Sequence, residues 1–282
     1  MYTKFNLGRD SVPIRKSSAV VVLLMLFTFA GISAATTYTA ANVKGSYSFV
    51  VNGYGGTTFE SAYVGLFTFD GVNTVTGYFE GLNNGKPEVI TITSGSTYTV
   101  SANGQGSLTA NATSSLNGAE SFQVGFVLNS VAASVAHSLQ MVLLSNTDQQ
   151  MYDWTATLIN LSVPATAARL KGTYSVLLTW FTSGLGKGYL GTLVFDGKSK
   201  VTTTLVVRTA ESGSTTVTGT GTYSVNSDGS GSMSLTLSNA TTADFDFIMN
   251  SISGTSVAKG IQLIEVDNPS STAVNNGNAV FE

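Results

Sequence analysis

Polar and apolar residues alternate along most of this chain. Tyr47, Phe49 and Val51 fall on one face of an extended segment, with Ser46, Ser48 and Val50 on the other. Val217, Gly219, Gly221, Tyr223 and Val225 alternate with Thr218, Thr220, Thr222 and Ser224, and Met233, Leu235 and Leu237 with Ser232, Ser234 and Thr236. A period of two sends successive side chains to opposite faces of a strand, so these segments predict antiparallel strands with one face buried and one wet. Asp-Gly at 70–71, 196–197 and 228–229, and Asn-Gly at 103–104, predict two-residue hairpin turns, whose central positions both need positive φ. A helical stripe is nowhere convincing. At most a single turn precedes the first strand of each half, around Thr39–Asn42 and Thr166–Arg169.

The pattern occurs twice. Thr39-Ala40-Ala41-Asn42-Val43-Lys44-Gly45-Ser46-Tyr47-Ser48 returns as Thr166-Ala167-Ala168-Arg169-Leu170-Lys171-Gly172-Thr173-Tyr174-Ser175, with seven of ten positions identical. Gly65-Leu66-Phe67-Thr68-Phe69-Asp70-Gly71 answers to Gly191-Thr192-Leu193-Val194-Phe195-Asp196-Gly197, and Phe126–Val131 answers to Phe247–Ile252. The chain is an internal duplication, so features found in both copies are expected to be architectural. Features of one copy are where function has room to be added. Gly45, Tyr47, Asp70 and Gly71, with Gly172, Tyr174, Asp196 and Gly197, are the repeated structural positions.

Roughly eight strands per copy at the spacing of small all-β domains predict an all-β fold of two tandem homologous antiparallel β-barrels, with β-sandwiches as the alternative. Successive hairpins without long crossovers favour the meander, and closing it removes exposed edges. The expected domains are a signal peptide over 1–35, a first repeat over 36–163 and a second over 164–282, each closing around its own core. Lys4, Arg9, Arg15 and Lys16 precede the apolar run Ala19–Ile32 and the small residues Ser33-Ala34-Ala35, the order of a secretory leader. No later segment approaches membrane-spanning length.

Removing 1–35 takes away four of 13 basic residues and one of 16 acidic ones, leaving 9 and 15 and a net charge of −6. That surface is a poor match for nucleic acid, whose binding depends on neutralising phosphates. The absence of cysteine excludes disulfides and thiolate metal sites. With one histidine, His137, in a loop-like stretch, neither a zinc site nor a histidine-based nucleophile system is expected, and no cofactor is implied. Asp70 and Asp196 precede glycine where a turn needs them. Asn226–Gly231 lacks the bidentate Glu and the second and third acids of a calcium loop, so a hairpin turn is expected there. Asp244 and Asp246 on one strand, and Glu265 and Asp267 on another, would form a carboxylate cluster if those strands were neighbours. Aromatics present in one copy are the better candidates for recognition. Trp180 and Phe181 lead into a Gly-rich loop, Tyr54 and Phe59 lie in the matching loop of the first copy, and Trp154 belongs to a strand-like segment after the 146–150 loop; such rings line barrel mouths or stack on sugars.

Lys-Gly-Ser-Tyr at 44–47 and Lys-Gly-Thr-Tyr at 171–174, each after a turn and opening a strand, resemble the start of lipocalin-type (calycin-like) barrels. That resemblance implies a short helix closing one end, Tyr47 and Tyr174 over the barrel floor, and carriage of a small ligand. The Gly-[Ser/Thr]-Tyr-Ser, Phe-x-x-Asp-Gly and Thr-Tyr-x-Val segments also resemble uncharacterised exported bacterial β-repeat proteins, which imply no activity. The function expected is an exported, non-enzymatic module, periplasmic, extracellular or at the cell surface, binding a small apolar or glycan ligand. The alternatives are a self-associating subunit of a surface layer, filament or matrix, and a small-barrel isomerase or cyclase.

Overall fold

The computed structural model describes residues 37–282, apart from 56–58, 146–150, 160, 162–163, 183–184, 210–212, 251, 253–255 and 267–274. Residues 1–35, the expected leader, lie outside the described residues. The fold is all-β: two closed eight-stranded antiparallel barrels in tandem, each opened by one 3-10 turn.

The first barrel begins with the turn Ala40–Val43 and runs through β1 (Gly45–Gly55), β2 (Phe59–Phe69), β3 (Val75–Asn83), β4 (Lys86–Ile92), β5 (Thr97–Val100), β6 (Gln105–Ser114), β7 (Gly118–Ala132), β8 (Val135–Ser145) and β9 (Met151–Ile159). Neighbours in sequence pair as hairpins except β4 and β5, β9 returns to β1, and β4 reaches β6 through Ile90↔Ser114 to Ile92↔Ala112. The second barrel begins with Ala167–Arg169. It comprises β10 (Lys171–Thr182), β11 (Leu185–Asp196), β12 (Lys200–Thr209), β13 (Gly213–Val225), β14 (Ser230–Leu237), β15 (Thr242–Asn250), β16 (Gly260–Glu265) and β17 (Asn275–Phe281), closed by β17 on β10. β4 and β5 together do the work of β13. The break between them is stitched by Ser96, whose Oγ donates to the Thr93 carbonyl at 2.9 Å and accepts the Asn111 N–H at 2.9 Å.

The Asp-Gly sites turn differently from the two-residue expectation. Only the glycine takes positive φ, at 84° for Gly71 and 79° for Gly197. Asp70 Oδ1 instead accepts the N–H groups of Val72, Asn73 and Thr74, and Asp196 Oδ1 those of Lys198, Ser199 and Lys200. One carboxylate satisfying three donors favours a longer loop, and those bonds lower both aspartate pKa values. The Asp228 and Asn103 turns are also wider than two residues, bridged from Asn226 to Ser230 and from Ser101 to Gln105. Two-residue turns with positive φ at both positions occur at Asn84-Gly85 and Ala133-Ser134.

One end of each barrel is closed by the same three rings. Tyr47 meets Phe69 edge-on at 5.6 Å and Phe69 meets Tyr98 at 4.9 Å; Tyr174, Phe195 and Tyr223 repeat this at 5.4 and 4.9 Å. The buried hydroxyls of Tyr47 and Tyr174 donate to the carbonyls of Ala136 and Ala258 at 2.7 and 2.8 Å. Tyr98 and Tyr223 donate to the 3-10 turns, at Ala40 and Ala167 respectively. Burial pushes both phenols up to about 12. A repeated Tyr–Phe–Tyr stack therefore ties each opening turn to its barrel floor.

The two barrels also share an apolar face. The outward side chains of β1 and β2, Val50, Ala62, Val64 and Leu66, with Leu82 of β3, join one cluster with Ile248 of β15 and Ile264 of β16. All six residues of β16 are buried, because both of its faces are covered. An acidic group borders this face. Tyr78 donates to Asp228 Oδ2 at 2.8 Å, and Glu80, half-buried, lies near enough to Asp246 and Asp228 to be repelled by both. Burial, then those two charges, push the Glu80 carboxyl up to about 7, and burial followed by Asp244 raises Asp246.

Candidate functional site

The duplication supplies its own control, because strand registers match position for position. Gly65 opposes Phe79 as Gly191 opposes Leu205, and Ala156 opposes Phe49 as Ala279 opposes Val176. Phe67 corresponds to Leu193, each opposite the first-strand tyrosine. Phe122 and Ala243 face Ala110 and Leu235, Glu88 and Thr215 face Gly81 and Val207, and Trp154 and Gly277 face Met141 and Leu263. The closed ends are alike. Beyond them, the first barrel carries rings and an acid where the second has aliphatic residues, alanine, glycine and threonine.

Those rings and that acid line a cavity of about 80 Å³ in the first barrel, away from its 3-10 turn. At ~10–15 Å³ per probe-sized water, this is room for several waters or a molecule of under about ten heavy atoms. Its floor is Phe49 stacked on Phe67 at 4.7 Å with 23° between planes. Phe79 stands edge-on to Tyr63 at 5.5 Å and to Phe122 at 5.9 Å, and Trp154 lies 6.0 Å from Phe49. At the rim Asn117 and Ser121 are exposed.

The polar chemistry centres on Glu88, only 2% exposed. Its Oε2 accepts from the Tyr63 hydroxyl at 2.6 Å and Asn83 Nδ2 at 3.0 Å. Its Oε1 accepts from the Ser114 hydroxyl and from Asn117 Nδ2 at 3.4 Å. Burial, then the hydrogen bond to Glu88, raise the Tyr63 phenol far above its usual range, so it stays a donor. Glu120 lines the same space, and none of the described lining residues is Lys, Arg or His. Trp154 Nε1 is buried with no hydrogen-bond partner among the described residues. An indole N–H can only donate.

Of the residues singled out from sequence, Trp154 is in the cavity wall. Tyr54 and Phe59 lie at the facing ends of β1 and β2, one register step apart, and Trp180 and Phe181 lie on β10 opposite Lys187 and Gly186. The side chains of these four are outside the described residues. His137 is on β8, exposed, not in a loop, because β8 starts two residues earlier at the Ala133-Ser134 turn. Of the four acidic residues, the described Asp244, Asp246 and Glu265 do not come together. β15 and β16 are neighbours, but Glu265 opposes Phe245 and so shares the interior face, whereas Asp244 and Asp246 point outward. Asp267 lies outside the described residues. Among the described residues no group of three or more His, Cys, Asp or Glu side chains is placed to hold a metal ion. Phe49, Phe67, Phe79, Phe122 and Glu88 escaped the sequence reading, although aligning the copies exposes Phe49 against Val176 and Phe67 against Leu193.

No protein-family model matches the chain, and no curated protein matches it. A solved structure titled "Crystal structure of CghA" aligns over 83% of this chain and 86% of its own, at 6% identity and a TM-score of 0.21. A likeness at this level assigns neither fold nor function. Among the described residues no helix is long and apolar enough to cross a membrane.

Proposed function

We propose that this chain is an exported, non-enzymatic ligand-binding protein, and that the open end of its first barrel holds the ligand. The observation that carries this reading is the asymmetry between the copies. Both keep the ring stack at the closed end, and only the first lines the remaining space with four phenylalanines, Trp154 and Glu88. A core under selection for stability alone fills its volume, since interiors pack like organic crystals. Aromatic rings around a void beside one buried carboxylate make the kind of concave, mostly apolar pocket with few polar groups in which ligands sit.

The two tryptophans make the test direct. In ¹⁵N-labelled protein, with indole signals assigned through Trp154→Phe and Trp180→Phe, a library of compounds under about ten heavy atoms is expected to contain members that move the Trp154 Nε1–H signal. If no compound moves it, or the same compounds bind Trp154→Ala unchanged, the cavity is not a binding site.

Self-association is a second reading, favoured by one observation. Leu177, Leu190 and Val206 are exposed and in cross-strand register on β10, β11 and β12, an apolar stripe of the second barrel. Sedimentation velocity of the wild type and Leu190→Lys separates the readings: assembly through the stripe requires oligomers that the lysine disperses.

A further inference from the structure

We propose that copies of this chain join head to tail, the β10–β12 face of one second barrel seating on the β7–β8 face of the next copy's first barrel. This inference rests on the self-association reading above and names the surface that the exposed stripe meets.

The molecule already contains one contact of this kind. Within a single chain the outward face of β1, β2 and β3 covers the outward face of β15 and β16. Val64 on one side is 1% exposed and Ile264 on the other 0%. Because the barrels are copies, each of these two faces occurs twice, and the second occurrence of each is open to solvent. Val50 and Val64 correspond in register to Leu177 and Leu190, and Leu190 is 60% exposed. Ile248 and Ile264 correspond to Val127 and Val142, and Val142 is 42% exposed. Leu144, in the place of the partly buried Val266, is exposed as well. The barrels of one chain are joined through the other pair of faces, so the open pair can meet only between copies. Apolar surface of this extent on an outward sheet face marks an interaction site.

The open faces differ from their covered counterparts in matching ways. Two valines become leucines on the β10–β12 side, while two isoleucines become valines on the β7–β8 side, so the summed volume at the centre is kept. Leu144 for Val266 adds one methylene at the edge. Charge changes in step. The internal contact is bordered by Glu80, which Asp246 and Asp228 repel. Their counterparts are Val206, Gly125 and Asn103, so all three carboxylates are gone from both sides together. At the periphery Leu66 and Leu82 give way to Thr192 and the exposed Arg208. The contact between copies therefore has a smaller apolar centre and a more polar rim than the internal one, the anatomy of a reversible association.

Topology lets the contact propagate. In the first barrel β9 separates the two faces on one side and β4 and β6 on the other; in the second barrel β17, and then β13 and β14, do the same. One barrel can thus use both faces at once. A contact between unlike faces leaves an open face of each kind after two copies have met, so growth continues into a filament or closes as a ring.

The experiment is sedimentation analysis of the purified protein over a concentration series, with Leu190→Lys, Val142→Lys and an equimolar mixture of the two. The wild type is expected to pass beyond the dimer as concentration rises. Each lysine, buried without a partner in the contact, is expected to weaken association at least about tenfold, so each variant alone sediments as a monomer where the wild type associates. Mixed, the two variants are expected to form a 1:1 dimer and nothing larger, because each keeps the face that the other has lost. Leu144→Lys should replace Val142→Lys in that complementation, and unchanged melting of all three variants shows that the barrels persist. If Val142→Lys and Leu144→Lys associate as the wild type does while Leu190→Lys is dispersed, the stripe meets itself; the head-to-tail contact is then overturned and self-association stands. Dispersed variants that fail to combine overturn the contact too. A wild type that remains monomeric up to about 1 mM, or association that no lysine reduces, removes the self-association reading along with it.

Discussion

Glu80 gives the most quantitative handle on how the two barrels are held together. Its carboxyl sits half-buried at the edge of the shared apolar face, repelled by Asp246 and Asp228, and titrates near 7 instead of 4.5. The folded state therefore holds a proton that the unfolded chain releases. Below about pH 4.5 both states are protonated and the group costs nothing. Between 4.5 and 7 the unfolded state ionises first and stability falls as pH rises; above 7 the whole cost is present. A displacement of about 2.5 pH units corresponds to roughly 3 kcal/mol at 1.36 kcal/mol per unit, and solvent reaching a half-exposed carboxylate reduces this to about 1–2 kcal/mol. Glu80→Gln keeps the shape and removes the charge. Urea unfolding at intervals from pH 4.5 to 8.5 should show the variant gaining on the wild type as pH rises, levelling near 1–2 kcal/mol above pH 7. Asp246, also raised, weakens in the same direction and sharpens the wild-type slope. The turn aspartates Asp70 and Asp196 are lowered and titrate below this window. A difference between variant and wild type that does not change with pH would refute the interface electrostatics described here.

Two further outcomes are expected. Tyr174→Phe removes the donor to the buried Ala258 carbonyl and should cost about 1–3 kcal/mol in denaturant unfolding, the penalty of orphaning a buried acceptor; a loss under 0.5 kcal/mol would mean that water reaches that carbonyl. Residues 164–282 expressed alone should retain a β-type circular dichroism spectrum, since β10–β17 close on themselves, yet expose Ile248 and Ile264 and melt below the full chain. An excised copy as stable and as monodisperse as the parent would show that the shared face contributes nothing.

The architecture was legible because it depends on short-range rules. Alternation at Tyr47–Val51 and Met233–Leu237 names the strand faces, and the repeated Lys-Gly-[Ser/Thr]-Tyr marks where each barrel opens. Asp-Gly by itself predicts a backbone device, a two-residue turn, whereas Asp70 and Asp196 work through side-chain oxygens. The candidate site was half legible. Trp154 stood out as an unmatched aromatic, but Phe49, Phe67 and Phe79 look like ordinary core positions until their partners Val176, Leu193 and Leu205 are set beside them. Glu88 shares a strand face with Ile90 and Ile92, so alternation places it inward, but a lone glutamate at the start of such a face does not name its partners. Only the donors from β2, β3, β6 and the β6–β7 turn show how its charge is held in the interior.

What the amino-acid order determined alone was local: strand periodicity, the duplication and the residues that stop each strand, all set by contacts within a few positions along the chain. Tertiary structure decided which outward faces meet, so that Ile248 and Ile264 are covered while Leu177 and Leu190 stay exposed. It also decided that rings and a buried glutamate from distant strands meet around one cavity in the first barrel. Both outcomes depend on side chains brought together from strands dozens of residues apart, and volume and charge at such a meeting point belong to no single segment.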